Sequence, residues 1–235
     1  MSNDRRQHDD RKETDHQKAS DGRKAALIAL LIEHQVLRFG TFTLKSGRHS
    51  PYFFNLGALH TGGAIQALAE CYADRIDAEA PAFDVLFGPA YKGIPIAVAT
   101  AEALARRGRD VPWAFNRKEA KAHGEGGQFV GAPMRGRVLV VDDVLTAGTA
   151  VREATDLIRS AGASVAGVIV ALDRQERTDG GVTAVSALRE TLGVPVLSIL
   201  TLQNVIDYLD RVDAGANHAP DLRERIRAYQ QAYCI

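Results

Sequence analysis

Cysteine is nearly missing from this 235-residue sequence: Cys71 and Cys234 stand far apart, in no Cys-x-x-Cys or Cys/His spacing. That leaves no basis for a disulfide framework or a structural zinc site, and it suits a reducing cytoplasm. An excess of one charge is missing too, since 29 lysines and arginines balance 29 aspartates and glutamates. No global field marks the chain as a binder of nucleic acid or membrane, so any anion site must be local. No apolar run approaches the ~18 residues of a membrane span, and the N-terminus carries no apolar signal core, which predicts a soluble, unexported protein. GPAYKGIP does not supply the GxxxxGK[ST] of a phosphate-binding loop, and GxGxxG is absent. Nucleotide hydrolysis and hydride transfer therefore lose their main supports.

What is present begins with a charged tail. Residues 1–22 hold five basic against six acidic side chains and almost nothing apolar. Such a segment cannot offset its ordering entropy by burial and is expected to be disordered. The 46% hydrophobic content of the chain can fill the core of one catalytic domain, placed at residues 23–235. AALIALLIEH predicts a short helix at the domain edge, and GTFTLKSGRHSPYFFN two short strands around a turn at Ser46-Gly47. From Gly62 onward, helical stretches alternate with near-continuous runs of Val, Leu and Ile: FDVLFG, VPWAFN, RVLVV, SVAGVIVALD and VPVLSIL. Runs of that kind suit parallel strands covered on both faces, and the alternation predicts an α/β fold with a doubly wound, mostly parallel sheet flanked by helices. Thr201 to Asp210 and Asp221 to Tyr233 read as closing helices. Ala90 to Gly93 and the polar, glycine-bearing stretch from Arg117 to Phe129 resist this scheme; a loop of the latter length is usually functional or mobile.

The strongest motif is VLVVDDVLTAGTA, Val138 to Ala150: an apolar strand, two acids, then a small-residue turn entering a helix near Thr149. In open α/β sheets ligands bind beyond the carboxyl ends of the strands, where Asp142 and Asp143 fall. Thr146, Ala147, Gly148 and Thr149 have little bulk, so backbone N–H groups and hydroxyls can close around a phosphate at the positive end of the helix. The acids would repel phosphate; they suit ribose hydroxyls or a hydrated divalent cation beside them.

With that motif the sequence resembles the type I phosphoribosyltransferases, which bind 5-phosphoribosyl 1-pyrophosphate with magnesium. FTLKSGRHSPYFFN, FGPAYKGIP, NRKEAKAHGEGG and LDRQER, from Phe42, Phe87, Asn116 and Leu172, are similar to the signatures of the orotate phosphoribosyltransferases among them, in that family's order. The resemblance implies the family fold with a small N-terminal hood of strands and a helix, and a chain too short for a fused decarboxylase. It implies Lys45 near the reacting centre and Phe53 and Phe54 at the wall of the orotate pocket, although strand alternation turns at least one of the two to the core. Tyr91 and Lys92 fall on the pyrophosphate loop, with a cis peptide at Ala90-Tyr91. Asp142, Asp143, Val144, Leu145, Thr146, Ala147, Gly148, Thr149 and Ala150 form the sugar-phosphate loop, Thr146 also meeting orotate. Arg174 resembles the arginine that meets the base, whose planar anionic edge suits a guanidinium fork.

Alone, Arg117 to Gln128 would be a solvated charge run. The resemblance makes it a catalytic lid holding Arg117, Lys118, Lys121 and His123, several of whose basic side chains reach the partner subunit's site in a homodimer, with Gly124, Gly126 and Gly127 as hinges. Lys45, Lys121, His123, Asp142 and Asp143 are then the expected catalytic set. The implied reaction transfers ribose 5-phosphate to orotate, giving orotidine 5′-phosphate and pyrophosphate in pyrimidine biosynthesis. Nothing in it requires Cys71, Cys234 or a serine as nucleophile. The alternatives are a purine phosphoribosyltransferase, or a regulator that senses 5-phosphoribosyl 1-pyrophosphate without turnover; a regulator should lack the complete basic lid.

Overall fold

Runs of β-branched and aliphatic residues become the strands of one sheet because each can bury both of its faces. The computed structural model describes residues 21–44, 47–121, 127–145, 148–212 and 220–235, with the side chains at 120, 121 and 220 outside the description. A first helix (α1, 21–33) leads into a hairpin of β1 (Leu37–Thr43) and β2 (His49–Phe54). After them come α2 (Gly62–Glu79), β3 (Val85–Gly88), α3 (Gly93–Arg106), β4 (Trp113–Lys121), β5 (Gly127–Gly131), β6 (Arg137–Val144) and α4 (Thr149–Ser160). The remainder is β7 (Ser164–Asp173), α5 (Ala184–Leu192), β8 (Val196–Thr201), α6 (Leu202–Val212) and α7 (Pro220–Tyr233).

The main sheet has the order β5-β4-β3-β6-β7-β8. All its neighbours are parallel except β5, which pairs antiparallel with β4. Alternation along each strand divides the core in two. Leu86, Leu139, Val141 and Ile169 pack with residues of α1, α2, α3, α6 and α7 on one face. Phe87, Val138, Val140 and Val168 pack with Val151, Ala154 and Ile158 of α4 and Val185 and Leu188 of α5 on the other. This is the doubly wound arrangement expected from the sequence.

Strand order reverses between β3 and β6, because the chain leaves β3 toward β4 on one side and returns to place β6 on the other. The loops leaving these two strands must diverge, opening a crevice at their carboxyl ends. Both loops carry the residues singled out by motif.

Three segments depart from expectation. Asp21 and Gly22, given to the tail by composition, already lie in α1; residues 1–20 fall outside the description. The stretch from Arg117 to Phe129 is not one long loop: β4 continues to Lys121 and β5 begins at Gly127, with Asn116 opposite Phe129 and Lys121 opposite Gly127. The helix α5 carried no strong sequence signal; Thr183 caps it by accepting from the Ser186 N–H at 3.0 Å.

The turn from β3 into α3 is the tightest passage in the fold. A methyl at Gly88 would stand 2.1 Å from the Gly93 carbonyl oxygen, and one at Gly93 would stand 2.6 Å from Pro89 Cδ. Ala90-Tyr91 is cis, and the Ala90 N–H donates to Asn116 Oδ1 at 2.9 Å. Since backbone rather than a flexible side chain blocks a Cβ at Gly88, Gly88→Ala should lower unfolding free energy by at least about 2 kcal/mol. Urea denaturation measures this; a midpoint equal to that of the parent would contradict the close approach.

Candidate active site

Two acids end β6, and their environments differ. Asp142 is only 7% exposed, and its Oδ1 accepts the Asp143 N–H at 2.9 Å. The buried Tyr72 hydroxyl of α2 donates to the Asp142 backbone carbonyl at 2.7 Å, fixing the end of the strand from below. Burial, and then the neighbouring Asp143 charge, push the Asp142 carboxyl up to about 7. Asp143 faces the crevice, where Lys92 Nζ stands 2.7 Å from its Oδ2. Lys92 also reaches Asn55 Oδ1 at 3.4 Å, so one ammonium ties the β3–α3 turn to the acid pair and to the end of β2.

Beyond the acids, Val144 is half-buried and Leu145 is buried, which anchors the start of the loop. Gly148 is the N-cap of α4 at φ 68°, a left-handed conformation that favours glycine, and among the described residues no side chain caps the helix. Thr149 and Ala150 are exposed in the first turn. Uncapped N–H groups at a positive helix end beside a crevice make an anion cradle. Thr146 and Ala147 lie outside the described residues.

Of the expected lid, Arg117 and Lys118 are placed on β4. Arg117 Nη1 donates to the Gly127 carbonyl at 3.1 Å, stapling the two arms of the hairpin. Lys118 Nζ lies 5.0 Å from the centroid of the Tyr91 ring, itself 67% exposed, so the hairpin leans on the β3–α3 turn. His123 and the side chain of Lys121 fall outside the description, as does Lys45 near the β1–β2 turn.

The two phenylalanines divide as alternation requires. Phe54 pairs across the hairpin with Leu37 and packs against the main core, while Phe53 stacks with Phe42 at 5.4 Å beneath the Arg38 guanidinium. Arg174 follows β7 and is held by its own fold: Nε and Nη2 meet Glu176 Oε1 at 2.8 and 2.6 Å, and the guanidinium lies 4.5 Å from the Tyr52 ring centroid. Sequence reasoning missed Asn55, Asn116, Tyr52, Tyr72, Glu176 and Tyr229. Tyr52, Asn55 and Glu176 lie inside the quoted motifs and Asn116 begins one; nothing local marks Tyr72 or Tyr229.

Among the described residues no group of three His, Cys, Asp or Glu could enclose a metal ion. One carboxylate facing the crevice, Asp143, with Asp142 buried beside it, still fits magnesium, which keeps most of its waters and binds through one or two carboxylates plus substrate phosphates. Burial pushes the Cys71 and Cys234 thiols up to about 12 and about 11, so neither is a thiolate near neutral pH. No described helix is long and apolar enough to cross a membrane.

Residues 56–186 match the family described as "Phosphoribosyl transferase domain". An orotate phosphoribosyltransferase of Marinobacter nauticus is 52% identical over 208 residues, covering 88% of this chain and 96% of that protein. One of Klebsiella pneumoniae is 51% identical over 209 residues, with 88% and 96% covered. The crystal structure of an orotate phosphoribosyltransferase of Francisella tularensis superposes with a TM-score of 0.77 at 39% identity, covering 88% of this chain and 98% of that one.

The Asp142 carboxyl sets a pH dependence for the ligand-free protein. Below about 4 it is protonated whether the chain is folded or not; between about 4 and 7 the folded protein keeps a proton that the unfolded chain has lost. Its contribution to stability therefore falls as pH rises through that window, and above about 7 the buried charge opposes folding in full. Asp142→Asn should stabilise the ligand-free protein at pH 8 by about 1 to 3 kcal/mol and change little at pH 4. Denaturation at the two pH values tests this; a variant less stable than the parent at pH 8 would contradict it.

Proposed function

The chain belongs to the orotate phosphoribosyltransferases, and from that membership we propose how its residues divide the family's reaction. The enzyme joins orotate to the ribose 5-phosphate of 5-phosphoribosyl 1-pyrophosphate in pyrimidine biosynthesis, releasing pyrophosphate. The single observation that carries the division of labour is the 2.7 Å ion pair between Lys92 and Asp143, where the loops from β3 and β6 face each other. A pyrophosphate-holding loop and a ribose-holding acid must meet there, because the bond that breaks joins pyrophosphate to the ribose.

Asp142 and Asp143 accept from the ribose hydroxyls. Backbone N–H groups from Val144 to Ala150 surround the 5-phosphate, with the cradle at the start of α4 in support. Phe53, the backbone at Phe54, Thr146 and Arg174 form the orotate side, Lys45 standing near the reacting carbon. Lys92 exchanges Asp143 for pyrophosphate oxygens when the substrate enters, which frees the acid for ribose.

Glycosyl transfer passes through an oxocarbenium-like state, with negative charge growing on the departing pyrophosphate. Tyr91 backbone, Lys92, Arg117, Lys118, Lys121 and His123 surround that charge, most strongly once the β4–β5 hairpin closes over the site. Asp142 and Asp143, together with substrate phosphates, would hold a magnesium ion, which would supply further neutralisation of the leaving group. We place the catalytic domain at residues 23–235, with residues 1–22 as a charged tail, and the enzyme in the cytoplasm as a homodimer with shared sites. Two free, buried thiols support a reducing compartment.

Orotate absorbance should fall when 5-phosphoribosyl 1-pyrophosphate and magnesium are added, and chelation of the metal should stop the change. Adenine, guanine and hypoxanthine should not support pyrophosphate release; comparable turnover of a purine would overturn the base assignment.

The shared site has its own test. Lys121 is assigned across the dimer and the acid pair within its own subunit, so Lys121→Ala and the double change Asp142→Asn, Asp143→Asn should each give an inactive homodimer. After subunit exchange at equal amounts, about half the dimers are mixed, each with one intact site of two, and activity should approach about a quarter of the parent. Exchanged mixtures that contain mixed dimers yet stay inactive would place Lys121 in its own subunit.

A further inference from the structure

Arg174 is held from several directions. Its Nε and Nη2 both donate to Glu176 Oε1, at 2.8 and 2.6 Å, and Nη2 stands 3.5 Å from Ser50 Oγ of β2. Glu176 has further partners: the Tyr229 hydroxyl of α7 donates to Oε1 at 2.7 Å, and Arg48 Nη1 lies 3.7 Å from Oε2. The segment carrying both residues is pinned by the chain's last residues, with Arg177 N donating to the Tyr233 carbonyl at 2.8 Å and Ile235 N to the Gln175 carbonyl at 3.0 Å. One carboxylate thus gathers groups from the hood, the end of β7 and α7.

A guanidinium has five N–H donors on three nitrogens in a rigid plane. Here the edge formed by Nε and Nη2 is given to Glu176, while Nη1 has no acceptor among the described residues. The side chain, 13% exposed, cannot swing freely. Leu172 pairs with Val144, so Arg174 leaves the sheet at the same carboxyl end as the acids. An arginine fixed along one edge can offer its remaining end to a planar anion without losing rotamer entropy at the moment of binding.

We propose that Glu176 is a positioning residue for the base site: it clamps the Nε edge of Arg174 and aims the Nη end at orotate, with Tyr229 as its brace. This rests on the assignment of Arg174 to the base made above. Glu176 makes no contact with either substrate. A purely structural ion pair in the same place would affect stability on breaking but would not single out one substrate.

The test compares KM for orotate with KM for 5-phosphoribosyl 1-pyrophosphate in Glu176→Ala, Tyr229→Phe, Arg174→Ala and the double variant Arg174→Ala, Glu176→Ala, with melting temperature recorded for each. Glu176→Ala should raise KM for orotate by about 10- to 100-fold and leave the other KM within about 2-fold, as expected when hydrogen bonds to a charged group are lost. Tyr229→Phe should move KM for orotate the same way by about 3-fold, and Glu176→Ala should add less than about 2-fold in the Arg174→Ala background. Should Glu176→Ala fail to fold, Glu176→Gln keeps the shape and one acceptor, and its expected rise in KM for orotate is about 5-fold. Equal movement of both KM values, no movement of either, or additivity in the double variant would overturn the proposal. Arg174→Ala separates the two levels: if it leaves KM for orotate unchanged, the base contact itself is wrong. If it raises that KM while Glu176→Ala does not, only the positioning role is lost.

Discussion

At the end of β3 the chain turns into α3 through a passage that has no room for a single methyl group, the Gly93 carbonyl lying 2.1 Å from where a Gly88 Cβ would be. That contact brings the start of a helix down onto the end of a strand in the layer beside β6. Lys92, the N-cap of α3, is thereby held close enough to Asp143 to pair with it. Had Gly88 carried a side chain, the turn would have to lift. The lysine would then separate from the acid, and with it the two loops proposed to hold the leaving group and the ribose.

The same geometry explains what the amino-acid order could reveal. Near-continuous apolar runs mark β3, β6, β7 and β8 because strands buried on both faces tolerate little else. VLVVDDVLTAGTA is legible for a similar reason: strand, acids and small residues occupy adjacent positions, so the ligand site is local in sequence. The β4–β5 hairpin was hidden because its outer part pairs only one strand with another at the sheet edge, where charged side chains cost nothing. NRKEAK therefore looks the same as a loop and as an edge strand. The surroundings of Arg174 were hidden for a different reason. Ser50, Tyr52, Glu176 and Tyr229 come from segments up to 179 positions apart, and only the fold assembles them. Motif resemblance could name the arginine but not what holds it.

Aromatic residues make up only 6% of the chain, and two of them join the hood to the rest. Tyr52 and Tyr229 meet edge to face at 6.0 Å, and Arg225 of α7 reaches the Gly40 carbonyl at 2.7 Å and Thr41 at 2.9 Å. These contacts fasten a two-stranded hairpin that would be marginal alone. If the hood carries part of the base pocket, as proposed, it needs such fastening, since a pocket wall that drifts by an ångström loses the orientation on which the transfer depends.

The adjacent acids resolve an electrostatic difficulty. A site for a highly charged phosphate ester ought not to hold two carboxylates, yet ribose hydroxyls call for them. Here Asp142 is buried and holds its proton up to about pH 7, whereas Asp143 is paired with Lys92. Below about pH 7 the ligand-free site is therefore nearer local neutrality than doubly negative. In the proposed division of labour, an incoming phosphate meets little repulsion and gains Lys92 as it displaces Asp143 from the ammonium. The acid that is then released is the one facing the crevice, where a ribose hydroxyl can replace the lost partner. Strand geometry accounts for the asymmetry: successive side chains leave β6 on opposite sides, so two adjacent aspartates cannot share one environment.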